Sequence, residues 1–275
     1  MATALPTFQQ WRADSMAEFK NSLWGFTLTY PDDWTHQSNA ESDGFAKDAQ
    51  AFDQTVPFNQ QSAHLLVRGE WNGRRQPIAP LWNQHITKLA VMLGAKKLGS
   101  SPFSMGGAYG FEAEIQMPKH ENRRLWVGIL ARDTIILHLM VSHPRELRAD
   151  FEPQATRIIA SLRFLEKVEG LVTTPEGLPL PPNYAPVDPA SLVPDAQGNW
   201  QAFTGTSDIG ALQAFYYREL PNFGWEISEF IPFPNQVNID FARLRIHKDS
   251  LTATLGILPT DNAKKPLGKI VVKFE

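Results

Sequence analysis

The chain contains no cysteine. That excludes a disulfide framework, thiolate metal sites, iron–sulfur clusters and a cysteine nucleophile. It also lacks a charge bias. Residues 1–170 carry 18 Lys+Arg against 18 Asp+Glu, and residues 171–275 carry 8 against 11. Neither half is basic enough to track a phosphate backbone, and no cationic run suits an anionic membrane surface, so nucleic acid is not an expected partner. No stretch reaches the ~18 apolar residues that span a bilayer. Residues 1–20 show no basic segment leading into an apolar run, so the sequence reads as cytoplasmic, although an exported protein with its signal removed would read the same. There is no G-x-x-x-x-G-K-[ST] phosphate loop, and no G-x-G-x-x-G follows a strand and opens a helix. What the chain has in plenty is aromatics: 8 Trp and 17 Phe in 275 residues, enough to fill the cores of one or two domains.

Trp24, Phe26, Leu28 and Tyr30 alternate with small or polar residues, which predicts a strand with one apolar face. Pro31-Asp32-Asp33 ends it in a turn, and Trp34 anchors the chain beyond. Before it, Leu5, Phe8, Trp11, Met16 and Phe19 suggest a short helix over 5–19. Strands are expected at Gly44–Lys47, His64–Trp71, Tyr109–Met117, Leu125–Ala131 and Thr134–Ser142, the last two apolar on both faces and hence central. Residues 48–62 read as an irregular loop. Pro77 to Leu93 carries a helical stripe of Trp82, Ile86, Leu89, Ala90 and Leu93, with Gly94 as its stop. Phe151, Ala155, Ile158, Ile159 and Leu162 mark a second helix capped by Asp150, with a closing strand over 163–168.

Composition then shifts. Seven prolines fall between Gly170 and Asp195. This reads as a stiff linker or a wrapped extended segment. Beyond it, a strand at Trp200–Thr204 is followed by a helix capped by Ser207 or Asp208, with apolar Ile209, Leu212, Phe215, Tyr216 and Leu220. Strands follow at 225–231, 237–247, 251–258 and 268–274. The fold class is therefore α+β. An N-terminal extension (1–19) precedes a first domain at 20–168, an antiparallel sheet flanked by helices on both faces. A Pro-rich linker (169–195) joins it to a smaller β-α-β-β-β-β domain at 196–275. Residues 1–168 are expected to fold alone.

Two short signatures, Phe26-x-x-x-Tyr30-Pro31-x-x-Trp34 and Ile159-x-Ser161-Leu162, give residues 20–167 an outline that resembles the PsbP-like proteins. The resemblance implies an antiparallel sheet with helices on both faces, and the role of an adaptor, assembly factor or chaperone rather than a catalyst. Phe26, Tyr30, Pro31 and Trp34 read as structural anchors. The second domain, through Phe215 to Leu220 followed by Gly224-Trp225, resembles small bacterial α+β modules of uncharacterised role.

Few residues suggest chemistry. His64 and His138 with Glu112 or Glu114 offer zinc-type donors, but without the local spacing of a site. Glu112 and Glu114 share one strand face, a spacing of ~7 Å that a glycosidic carboxylate pair could use. Ser104 within Gly99–Gly107 misses the G-x-S-x-G template, because Pro102 stands two residues before it. No catalytic residue, metal or cofactor is expected. Trp71, Arg74, Arg75 and Trp82 form the one mixed aromatic and basic cluster, the composition of an interface hot spot. The expectation is a non-enzymatic adaptor engaging a protein partner. Two alternatives stand beside it: a chaperone shielding hydrophobic segments of a secreted effector through an open apolar groove on the sheet, and a small-molecule binder or enzyme using an interdomain cleft.

Overall fold

The computed structural model describes residues 15–39, 42–52, 62–194, 196, 198–234, 239–260 and 267–275. The first half forms β1 (Met16–Asn21), β2 (Phe26–Pro31), β3 (Thr35–Ser38), β4 (Asp43–Ala46), β5 (His64–Trp71), α1 (Ile78–Leu93), β6 (Lys96–Lys97), β7 (Ser101–Met105), β8 (Ala108–Gln116), β9 (Arg123–Arg132), β10 (Ile135–Pro144), α2 (Arg148–Ser161) and β11 (Arg163–Phe164). The second half adds β12 (Ala185–Val187), β13 (Trp200–Thr204), α3 (Ile209–Asn222), β14 (Glu226–Ile231), β15 (Ala242–Lys248), β16 (Leu251–Pro259) and β17 (Gly268–Phe274). Every strand pair is antiparallel.

Residues 16–19 are strand, not helix, and residues 5–14 of the expected helix lie outside the described residues. The reason is cross-strand pairing. Phe19 stands opposite Leu28, and its ring meets Phe45 edge-on at 5.3 Å, a contact worth more than an imperfect helical stripe. Between β1 and β2 the chain reverses on Asn21, whose Oδ1 accepts the N–H groups of Leu23 (3.1 Å) and Trp24 (2.9 Å). Gly25 takes a left-handed φ of +66°, and a Cβ there would stand 2.1 Å from an Arg218 nitrogen, so no other residue fits.

The large sheet runs β3-β4-β5-β10-β9-β8, with β6 and β7 both on the outer edge of β8. Its strands alternate between two cores. Leu137, Leu139 and Val141 of β10 face α2 and the small sheet β1-β2-β11, whereas Ile136 faces α1. Helices therefore cover both faces. Trp34 is buried, stacked on Phe151 at 5.1 Å, with its Nε1 donating to Gln154 at 2.9 Å. Gly94 ends α1 in a left-handed conformation. α2 begins at Arg148, so Asp150 lies in its first turn rather than at its cap. Pro144 stops β10 and a tight turn over Arg145–Leu147 runs straight into the helix, which uses no side-chain cap.

The second sheet runs β12-β13-β17-β16-β15-β14 with α3 against it. Asp208 caps α3 by accepting the Ala211 N–H at 2.9 Å. The proline-rich stretch, expected as a linker or wrapped segment, packs into this domain. Leu178 and Leu180 are buried in its core, Ala185–Val187 is its edge strand, and Trp225 Nε1 donates to the Gly177 carbonyl at 3.0 Å. α3 also belongs to the first domain. Leu212, Phe215, Tyr216 and Leu220 fill the second core, while Ala211 and Ala214 join the first. The small residues let α3 approach β5 and Trp24 closely. Arg218 locks the seam, donating to the carbonyls of Ser22 (2.6 Å) and Leu23 (3.2 Å) and to Glu219 (2.6 Å), whose other oxygen accepts the Val168 N–H at 3.1 Å.

Candidate functional site: a groove beside the second helix

The sheet face that carries α2 is wider than one helix can cover. Between α2 and β7 it leaves a groove of about 340 Å³. β7 contributes Phe103 and Met105, β9 contributes Trp126, β10 contributes Val141, and α2 contributes Ala155 and Ile159. These make an apolar floor. Gly128 clears the space in which the Trp126 indole lies; a Cβ there would stand 2.7 Å from the ring. Phe103 meets that ring edge-on at 5.7 Å.

Charged groups close one end. Arg124 pairs with Glu114 and approaches Glu152 at 3.7 Å. Arg148 donates to Glu152 at 3.0 Å. His143, buried at the base, has one ring nitrogen 3.2 Å from Glu152 and the other 2.7 Å from the Pro144 carbonyl. Burial pushes the Glu152 carboxyl up, but the Arg148 bond and the charges of Arg148, His143 and Arg124 outweigh it and hold the group below its ordinary value. Glu112 differs from these. It accepts the Trp126 indole N–H at 3.1 Å, and among the described residues no lysine or arginine pairs with it. Glu112 and Glu114 do share a face, as their alternation requires, but each is bound to its own donor.

The other sequence-derived candidates fall elsewhere. Trp82 is buried on the sheet-facing side of α1, donating to Ser100 at 3.2 Å and stacking on Phe111 at 6.2 Å. Trp71 meets Tyr217 and Phe230 of the second domain at 5.8 and 5.9 Å. Arg75 donates to Tyr217 at 3.1 Å and pairs with Asp133 at 2.8 Å; Arg74 is exposed. Trp71 and Arg75 thus face this chain's own second domain, and the four residues do not form one surface. His64 and His138 stand opposite Ser142 and Arg68 in the register, ~13 Å apart along the strands. His138 bonds Glu70 at 2.8 Å and lies 4.9 Å from His85. No group of three potential metal ligands occurs among the described residues. Gly99–Gly107 supplies β7 and its hairpin turn. Ser38, His36 and Asp43 adjoin, but Ser38 lies 3.0 Å from His36 Nε2 while donating to Asp43 at 2.5 Å, and Asp43 approaches that same nitrogen at 3.6 Å. A proton relay needs the acid on the opposite ring nitrogen.

Arg124, Trp126, His143, Arg148 and Glu152 were not expected as site residues. The available signals were the alternation of Arg124 with Trp126 on β9 and the i, i+4 pair Arg148/Glu152 on α2. Neither signal says that the two meet.

No protein-family model and no curated protein matches the chain. Among solved structures it is similar to cyanobacterial PsbP from Synechocystis, at 9% identity and a TM-score of 0.41 over 58% of this chain and 98% of that one. It is similar to LpqN, a protein involved in cell envelope biogenesis of Mycobacterium tuberculosis, at 14% identity and a TM-score of 0.40 over 56% and 87%. A third is a protein of unknown function from Pseudomonas aeruginosa, a putative regulator, at 15% identity and a TM-score of 0.36 over 58% and 98%. No partner or activity passes to this chain at such distances. No helix among the described residues is long and apolar enough to cross a membrane.

Proposed function

We propose that this chain is a non-catalytic binding protein that seats an apolar-faced segment of a protein partner in the groove beside α2. The observation that carries the reading is an apolar floor framed by charges already bound to one another. Glu114 and Glu152 are bound to arginines and Glu112 to an indole, so the groove has shape and a fixed rim but no carboxylate left without a donor. β7, at the edge of the sheet, lies along one side of the groove. An extended segment laid beside it would alternate side chains into the floor and out to solvent. Glu112, without a cation, favours a basic residue on that segment. The chaperone reading draws on the same groove and differs only in the partner's folded state.

Calorimetric titration with an alternating leucine–lysine peptide tests the proposal. The full chain is expected to bind it saturably. Thr156→Trp, an exposed position on the groove wall, is expected to abolish binding, and Glu112→Gln to weaken it about threefold to tenfold. A leucine–glutamate peptide is expected not to bind. Equal binding by the wild type and Thr156→Trp would show that the groove is not the site.

A further inference from the structure

A second concavity, of about 440 Å³, lies between the two domains, within the ~300–1,000 Å³ of small-molecule sites. It shares no lining residue with the groove beside α2. One wall comes from β1, the turn after it, β4 and β5. The other comes from residues 182–183 and the N-terminal end of α3.

The lining chemistry is mixed and nearly neutral. Asp43 reaches the cavity although only 5% exposed. It accepts from Asn21 Nδ2 at 2.8 Å and Ser38 Oγ at 2.5 Å, with His36 Nε2 3.6 Å away. Across the cleft, Asp208 occupies the start of α3 with its own carboxylate, so that helix end is not open to an anion. Among the described residues, Lys20 is the only lysine or arginine in the lining. Asn183 and Thr206 are exposed there and bring an amide and a hydroxyl, each both donor and acceptor. Trp24, flattened over Gly69 and only 8% exposed, contributes no more than an edge to the lining.

We infer that this cleft binds a neutral, hydroxyl-rich ligand of the saccharide class. Adjacent hydroxyls donate to the carboxylates and accept from the amide and ammonium groups. An anion meets two carboxylates. A polyamine leaves the amide and ammonium donors without acceptors. Because both domains contribute walls, the ligand also ties them together, and its binding raises Tm in proportion to the logarithm of its concentration.

The test is calorimetric titration of the full chain with maltose, cellobiose, spermidine and inorganic phosphate, with circular dichroism confirming each variant's fold. Saturable binding of at least one disaccharide is expected, and none of spermidine or phosphate. Thr206→Trp, which fills the cleft from an exposed lip, is expected to weaken binding at least about tenfold. Asn183 already holds a left-handed φ of 64°. Asn183→Gly therefore removes the amide without straining the backbone, and it is expected to weaken binding several-fold. The groove variant Thr156→Trp is expected to bind the sugar as the wild type does, which separates this site from the one proposed for a protein segment. Binding of spermidine or phosphate in place of a disaccharide, an unchanged affinity in both cleft variants, or no binding by any probe would each overturn the assignment.

Discussion

Tyr216 is fully buried in the second core, and its hydroxyl has no hydrogen-bond partner. Burial pushes its pKa well above the ordinary value, so it stays neutral and polar in an apolar place. Deleting an unpaired buried hydroxyl while keeping the ring removes a desolvation cost. Tyr216→Phe is therefore expected to stabilise the protein by ~1 kcal/mol, read as a higher urea midpoint at unchanged slope. A lower midpoint would mean that the hydroxyl has a partner. Gln213 is the contrasting case: equally buried, it binds both the N–H (2.8 Å) and the carbonyl (2.9 Å) of Phe233. The sequence marked Tyr216 as core by helical spacing, but a hydroxyl's partner lies on whatever packs opposite, and spacing along one helix does not say what that is. Trp34 was similarly legible as an anchor after a turn. Its stacking partner, Phe151, was legible only as a helix stripe residue.

The face of the large sheet under α1 is sensitive to acid. His64 opens β5 and is held at a pKa of about 4, first by burial and then by the charge of Arg123. His85 on α1 is also held at about 4, first by burial, then by the charges of His138, Arg68 and Lys88, against which Glu70 pulls. Below the ordinary histidine value of 6.5 the unfolded chain takes up protons that these rings refuse in the fold until about pH 4. Stability thus rises with pH across this window and is complete above it. Tm is expected to fall several degrees between pH 7 and pH 4.5, and a His64→Gln/His85→Gln variant to show a flatter profile. Equal slopes would locate the acid sensitivity elsewhere. Much of this element plan was readable from alternation: β5, β13 and β17 keep the bounds that period two predicts. What period two could not supply was register. Glu114 and Glu152 converge on Arg124 only because β8, β9 and α2 dock as they do, and that is decided by how the cores fill.

At the scale of the molecule, the boundary read from the prolines separates two compositions but not two independent cores. α3, from the second domain, buries Ala211 and Ala214 in the first. Arg218 holds the carbonyls of Ser22 and Leu23, and the Arg218–Glu219 pair is buried. A fragment of residues 1–168 loses that cover over Trp24 and β5. It is expected to bind a hydrophobic dye and to melt broadly, with weakened near-UV circular dichroism. Cooperative melting with the full chain's near-UV signature would show that the first core is complete without α3. Prolines suit a strap as well as a tether, and of the two readings the wrapped segment fits Leu178 and Leu180, which are buried in the second core.

The same shared helix has a consequence in time. A ribosome delivers β1 to β11 before any part of α3 exists. At ~5–20 residues per second, the ~50 residues from the end of the first domain to the end of α3 take ~3–10 s to synthesise. Throughout that interval the Trp24 side of the first sheet waits uncovered. The nascent chain therefore passes through a stage in which an apolar surface stands open that it will later close with its own helix.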